Sequence, residues 1–312
     1  MSVTTGTVPF VVGDETYQTW YRVLGDLKSG VRPLVLLHGG PGIPHHYLLG
    51  HDELYKQHNI PIVWYDQVGC GASTHLPDKP KSFWTEEFFM DELENVVKHL
   101  GIADNYDLLG HSWGGMLTAR FAATRHPAGL KRIVITNSPA ALRLWEEGNA
   151  VLLKQMPQHM QDVIRKNEDA GTLEDPEYKA ALHAYYLKHV CRISPWPEPF
   201  TKSLTEIAKD PTVCHTLLGP KEFEITGTLK NWDITGILGS ITQPTLVING
   251  HYDMAQDICV APFFEKIPKV KWARLSESSH LPCWEEPERY YQILKTQFGQ
   301  RRLPLESLVP SQ

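Results

Sequence analysis

Tyr106-Asp107-Leu108-Leu109-Gly110-His111-Ser112-Trp113-Gly114-Gly115 carries a short apolar stretch straight into a G-x-S-x-G, and Met116 to Arg125 beyond it has a helical pattern. A serine at such a strand-to-helix junction reads as a nucleophile elbow. The glycines permit a turn sharp enough to expose the Ser112 hydroxyl on a strained backbone. G-x-S-x-G alone is a common accident of sequence. The strand before it and the helix after it give this one its weight.

Working outward, Leu34-Val35-Leu36-Leu37, Ile62-Val63-Trp64-Tyr65 and Ile133-Val134-Ile135-Thr136 are further brief apolar runs, the form taken by parallel strands buried on both faces. Thr7 to Val12 and Tyr17 to Val23 flank Gly13-Asp14 as an antiparallel hairpin. Phe88, Phe89, Leu93, Val96, Val97 and Leu100 recur at helical spacing, with Gly101 placed to end that helix. From about Ser138 to Gly239 helical segments replace the strand signals, broken by Pro157, Pro176 and Ser194-Pro195-Trp196-Pro197-Glu198-Pro199. Past Gln243-Pro244, strands resume at Thr245-Leu246-Val247-Ile248 and Lys271 to Leu275, and an amphipathic helix spans Pro287 to Phe298. The alternation predicts an α/β fold, a mostly parallel central sheet with helices on both faces. Residues 1–137 and 240–312 form the expected core domain, and 138–239 an inserted helical cap.

Composition narrows the function classes. With 30 Lys and Arg against 36 Asp and Glu in 312 residues, the net charge is 30 − 36 = −6. No basic stripe or charge block offers itself to nucleic acid or an anionic membrane. No apolar run approaches the ~20 residues of a membrane span. Met1-Ser2-Val3-Thr4-Thr5 has neither the basic start nor the apolar stretch of a signal peptide. Cys70, Cys191, Cys214, Cys259 and Cys283 are odd in number, scattered and never C-x-x-C, so no disulfide framework or zinc site is expected, and the cytoplasm is the simplest home.

A serine hydroxyl needs a base and an acid that orients the base, and on such sheets the chain order is Ser, acid, His. Asp253, in Asn249-Gly250-His251-Tyr252-Asp253, follows the strand at Thr245–Ile248, at the strand end where parallel sheets place their sites. His280, in Ser278-Ser279-His280-Leu281-Pro282, follows the next strand; among fifteen histidines, order and position single it out. Asp257 is the rival acid, further from the strand end, and Asp253 ranks ahead of it. His38-Gly39-Gly40-Pro41-Gly42 follows the strand at Leu34–Leu37, and successive glycines let backbone N–H groups approach an oxyanion. The expected donors are the N–H groups of Gly40 and Trp113. No cofactor or metal is expected, because the nucleophile belongs to the protein.

His38-Gly39-Gly40-Pro41-Gly42, Asp66-Gln67-Val68-Gly69-Cys70-Gly71-Ala72-Ser73 and Gly110-His111-Ser112-Trp113-Gly114-Gly115 together resemble the proline iminopeptidase family of α/β-hydrolases. The contexts of Asp253 and His280 and the helical cap match too, so the resemblance runs from about Thr7 to Phe298. One departure is Val68, where the family usually has Arg. The resemblance implies the α/β-hydrolase fold and removal of an N-terminal residue, often proline, with a small peptide, amino-acid amide or ester as the partner. Such enzymes hold the substrate's free amine with carboxylates. One carries over to Glu222, in Gly219-Pro220-Lys221-Glu222-Phe223-Glu224-Ile225-Thr226-Gly227; the second usually follows the catalytic Asp, where this chain has Met254. A thioether cannot compensate a buried ammonium. An esterase or lactonase acting on a neutral molecule therefore stays open. A non-enzymatic ligand sensor is a third reading, against which the complete Ser–Asp–His set argues.

Overall fold

Side chains alternate across the central strands so regularly that one sheet builds two cores. In the computed structural model, which describes residues 2–298, β1 (Val3–Val12), β2 (Glu15–Leu24), β3 (Leu34–Leu37), β4 (Ile62–Tyr65), β5 (Tyr106–His111), β6 (Leu130–Thr136), β7 (Thr245–Gly250) and β8 (Val270–Leu275) form a single sheet. The expected core range 299–312 lies outside the described residues. The strand order is β1-β2-β4-β3-β5-β6-β7-β8, antiparallel at β1–β2 and β2–β4 and parallel from β4 to β8. Val35, Leu37, Val63, Leu108, Ile133, Ile135 and Val247 face one core. Leu34, Leu36, Ile62, Trp64, Leu109, Val134, Leu246 and Ile248 face the other. That is the period-two consequence of a strand covered on both sides.

On the first face lie α2 (Glu86–His99), α3 (Trp113–Arg125) and α9 (Asp257–Lys266); on the second lie α1 (Asp52–His58) and α11 (Pro287–Phe298). The start of α2 is fixed by Thr85, whose hydroxyl accepts the N–H of Phe88 at 3.1 Å. Its end is fixed by Gly101 at φ +68°, the left-handed position that favours glycine. The hairpin extends further than its apolar pattern suggested, to ten residues on each strand.

Between β6 and β7 the chain runs through α4 (Leu142–Lys154), α5 (Gln158–Ala170), α6 (Pro176–His189), α7 (Glu198–Lys209) and α8 (Thr212–Leu217). The expected helical character stops there: residues 218–237 hold no helix. Instead Leu229, Trp232 and Ile234 pack into the α2/α3 core, and Trp232 donates its indole N–H to Glu86 at 2.6 Å. A stretch with Pro220 near its start and rich in Gly, Thr and Lys satisfies its backbone through turns rather than a ladder, so its periodicity is that of neither element. The α7–α8 joint is held to the core by Ser203, which donates to Pro44 O at 2.9 Å, and by a 2.5 Å bond from His75 to Asp210. No described helix is long and apolar enough to cross a membrane.

The loop at Val68 packs on a carboxyl that makes no ion pair among the described residues. Glu92 on α2 is fully buried; its Oε1 accepts the Thr19 hydroxyl at 2.6 Å and the Val68 N–H at 2.9 Å, and its Oε2 has no partner. Burial pushes its pKa up to about 8, and Asp66 adds to the rise. The native state thus keeps a proton that the unfolded chain, with an ordinary carboxyl near 4.5, has lost. Between those two pH values rising pH favours unfolding; the group's penalty is absent below the lower and complete above the upper. Glu92→Gln should therefore gain stability over the native chain as pH climbs from 5 to 8, by on the order of a few kcal/mol. Urea unfolding at both pH values measures it; parallel pH dependence in the two proteins would contradict a protonated Glu92.

Candidate active site

Ser112 sits between β5 and α3 at φ 53° and ψ −120°, a left-handed value that a non-glycine residue adopts only under constraint. The constraint is crowding. A Cβ on Gly110 would lie 2.0 Å from the Gly114 carbonyl oxygen, and one on Gly114 would lie 2.2 Å from that of Leu37. The turn thereby presses the N-terminus of α3 onto the end of β3, beside His38-Gly39-Gly40.

Asp253 follows β7 and His280 follows β8, as the sequence order required. Asp253 is fully buried, and its Oδ1 accepts from His280 Nδ1 at 2.6 Å and from the Ala255 N–H at 2.9 Å. The carboxylate only accepts, so Nδ1 carries the hydrogen and Nε2 is left as the basic nitrogen. Two residues that the sequence did not single out complete this geometry. Asn137, at the end of β6 and at φ 53°, donates to Asp253 Oδ2 at 2.6 Å. Glu285 in α10 (Pro282–Glu285) accepts the N–H groups of Ser279 at 2.8 Å and Leu281 at 3.1 Å, gripping the chain on either side of His280. Asp257 instead accepts from Asn249 at 2.9 Å and pairs with Arg274 at 3.1 Å. Ser112 and His280 line one cavity, without a hydrogen bond between their side chains in this state.

The three motif loops are stitched together. His38 Nε2 accepts the Gln67 N–H at 3.0 Å, and Gln67 Oε1 accepts the Trp113 indole N–H at 3.0 Å. His38 and Trp113 are both buried, and burial holds the His38 pKa below its usual value, which suits a neutral ring. Gly40 stands at φ +107°, where a Cβ would come within 2.6 Å of the Gly42 and Ile43 nitrogens. Among the described residues no acceptor takes the backbone N–H of Gly40 or of Trp113. Two free donors at the mouth of the elbow, one on a helix N-terminus, can stabilise an oxyanion.

The cavity holding Ser112, about 260 Å³, is walled mostly by apolar side chains, among them Ile43, Trp145, Leu204, Leu218 and Met254. Glu222, on the cap loop after α8, enters it beside His280 and Ser112. Its carboxylate accepts the Tyr186 hydroxyl and makes no ion pair with any described Lys or Arg; Lys221 next to it is taken by Glu224. Burial raises the Glu222 pKa and the nearby Glu168 raises it further. Glu168 on α5 accepts the backbone N–H of Glu222 at 2.9 Å and of Phe223 at 3.2 Å, so a second acid carries the loop that presents the first. Met254 is buried in the wall, its N–H bonded to His189 O at 3.2 Å. Tyr186 and Glu168 gave no sequence signal beyond ordinary helical polarity. No group of His, Cys, Asp and Glu among the described residues is arranged to hold a metal.

Comparison with known proteins agrees with this architecture. The α/β hydrolase fold family matches residues 32–287. A proline iminopeptidase of Clostridium botulinum is 34% identical over 299 residues, covering 94% of this chain and 97% of that protein. The crystal structure of a proline iminopeptidase from Mycobacterium smegmatis superposes with a TM-score of 0.87 at 40% identity, covering 95% of this chain and 97% of its own. The crystal structure of VinJ superposes with a TM-score of 0.91 at 46% identity, over 95% and 98% of the two chains.

Asn137 offers a test of the site's construction. Asn137→Gly keeps the left-handed backbone without steric cost while removing the donor to Asp253. A buried carboxylate oxygen left bare should cost roughly 1–3 kcal/mol of stability. Calorimetric unfolding checks this, and an unchanged Tm would mean that the amide does not hold Asp253.

Proposed function

The chain belongs to the proline iminopeptidase family of α/β hydrolases and is a serine hydrolase of the aminopeptidase type; on that premise we propose that it frees an N-terminal residue from small peptides or amino-acid amides through an acyl-enzyme on Ser112. Ser112 Oγ attacks the scissile carbonyl while His280 Nε2 takes its proton, and the hydrogen on His280 Nδ1 stays there, donated to the Asp253 carboxylate that stabilises the imidazolium. The tetrahedral oxyanion takes up the free N–H groups of Gly40 and Trp113. On collapse the C–N bond breaks, and His280 returns the proton to the leaving amine. Water then attacks the acyl-enzyme with His280 again as base, and Ser112 is restored.

The observation that carries the aminopeptidase reading is Glu222. A carboxyl in the same apolar cavity as Ser112, held by one hydroxyl and lacking a cation, is a receptor for the substrate's ammonium. Met254 favours the second reading, an esterase or lactonase for neutral acyl groups, because it gives an apolar wall where the family pattern has a second carboxylate. The five cysteines, all free, support a reducing cytoplasmic setting.

Three measurements decide. Ser112→Ala should cost on the order of 10⁶ in turnover. Glu222→Gln should raise KM for an aminoacyl arylamide by the equivalent of roughly 2–5 kcal/mol, while N-acetylated twins and simple esters are unaffected. Because burial raises the Glu222 pKa, acidification neutralises it early, so KM for free-amine substrates should climb as pH falls and that of the acetylated twin should not. A native enzyme that prefers the acetylated twin, with Glu222→Gln altering neither, would replace the aminopeptidase with the neutral esterase.

A further inference from the structure

Tyr47 and His111 are buried polar residues in the cavity wall that the mechanism above does not use. Tyr47 lies in the turn of helix at His45–His51; His111 is the residue before Ser112. Three hydrogen bonds run through them. The Gly39 N–H donates to Tyr47 Oη at 2.6 Å, Tyr47 Oη meets His111 Nδ1 at 2.9 Å, and His111 Nε2 meets the carbonyl oxygen of His280 at 2.7 Å.

The hydrogens in this chain have one arrangement. The His280 carbonyl can only accept, so His111 carries its hydrogen on Nε2. Burial, with His280 beside it, holds the His111 pKa well below the ordinary histidine value, so the ring is neutral and Nδ1 is a lone pair. Tyr47 must then donate its hydroxyl hydrogen to Nδ1, which leaves the oxygen lone pair for Gly39. Three parts of the chain distant in sequence, at residues 39–47, 111 and 280, are joined with every donor and acceptor matched. The ring centroids of Tyr47 and His111 lie 5.2 Å apart, and those of His111 and His280 4.7 Å apart. Glycine at 39 permits the approach: a Cβ there would come to 3.0 Å from both Tyr47 Oη and Ser112 Cβ.

We propose that Tyr47 and His111 are positioning residues, a relay that locks the loop bearing the Gly40 N–H to the backbone of His280, so that the oxyanion donor and the base keep one mutual geometry. The relay rests on the serine-hydrolase reading of the site. The Gly39 N–H belongs to the His38–Gly39 peptide, one Cα before the peptide that carries the Gly40 N–H, so holding it anchors the entry to that loop, and holding the His280 carbonyl anchors the backbone of the residue whose ring must reach Ser112. Neither Tyr47 nor His111 transfers a proton to substrate, because their polar atoms are engaged with each other and with backbone.

The test uses the full chain with Tyr47→Phe, His111→Leu, the double variant and His111→Gln, whose amide supplies one acceptor and one donor. Readouts are kcat and KM for an aminoacyl arylamide, affinity for the matching aminoacyl boronic acid, which mimics the tetrahedral state, and fluorophosphonate labelling of Ser112. Tyr47→Phe and His111→Leu should each lower kcat by roughly 10–100-fold, with KM within about threefold, and weaken the boronate in parallel. The double variant should lose no more than the worse single one, since the relay acts as a unit. His111→Gln should recover most of the loss relative to His111→Leu. Additive losses, a change in KM alone, or an unaltered kcat in the near-isosteric Tyr47→Phe would overturn the relay. If the native chain itself resists the fluorophosphonate, the serine-hydrolase reading fails first and the relay with it; native labelling with an unaffected Tyr47→Phe defeats the relay only.

Discussion

Everything in this site depends on the absence of space around Ser112. The turn from β5 into α3 brings the Gly114 carbonyl against Gly110, and the Leu37 carbonyl against Gly114, at distances no side chain allows. Close packing there brings the end of β3 and the start of α3 within reach of a single oxygen atom. Two backbone donors from different parts of the chain can therefore converge without any side chain pointing at the reaction. The strain at Ser112 is held by the burial of the two strands and the helix around it.

Three acids, Asp253 and Glu92 buried and Glu222 half-buried at the cavity, show how one chemical group is given three fates by its hydrogen-bond donors. Asp253 has three, from His280, Ala255 and Asn137, so both its oxygens are engaged. Glu92 has two neutral donors and a bare oxygen, so protonation is the cheaper state. Glu222 has a single hydroxyl and a cavity in front of it, and no described Lys or Arg pairs with it. The difference lies in what surrounds each carboxyl.

The elbow, the central strands and the order Ser112, Asp253, His280 were legible because each is local: an apolar run, a glycine pattern, a loop after a strand. Asp253 could be ranked over Asp257 for the same reason, by distance from a strand end. What was illegible is what acts across the chain. Asn137 and Glu285 look like ordinary loop and helix residues until folding sets them against Asp253 and the His280 loop. Glu168 and Tyr186 sit on cap helices whose polar residues nearly all resemble solvated faces. The segment after α8 misled for a different reason. Lacking strand signals it read as helix, yet it anchors through Trp232 and scattered apolar residues that have no period at all.

The bonds that join His38, Gln67 and Trp113 have a consequence for how substitutions combine. Loss of the His38 ring would leave the Gln67 N–H without its acceptor, and loss of the Gln67 amide would leave the Trp113 indole N–H without its own, in an interior where an unpaired donor costs roughly 1–3 kcal/mol. A replacement at Gln67 therefore couples to position 113, which it meets through its side chain, and not to position 38, which it meets through backbone alone.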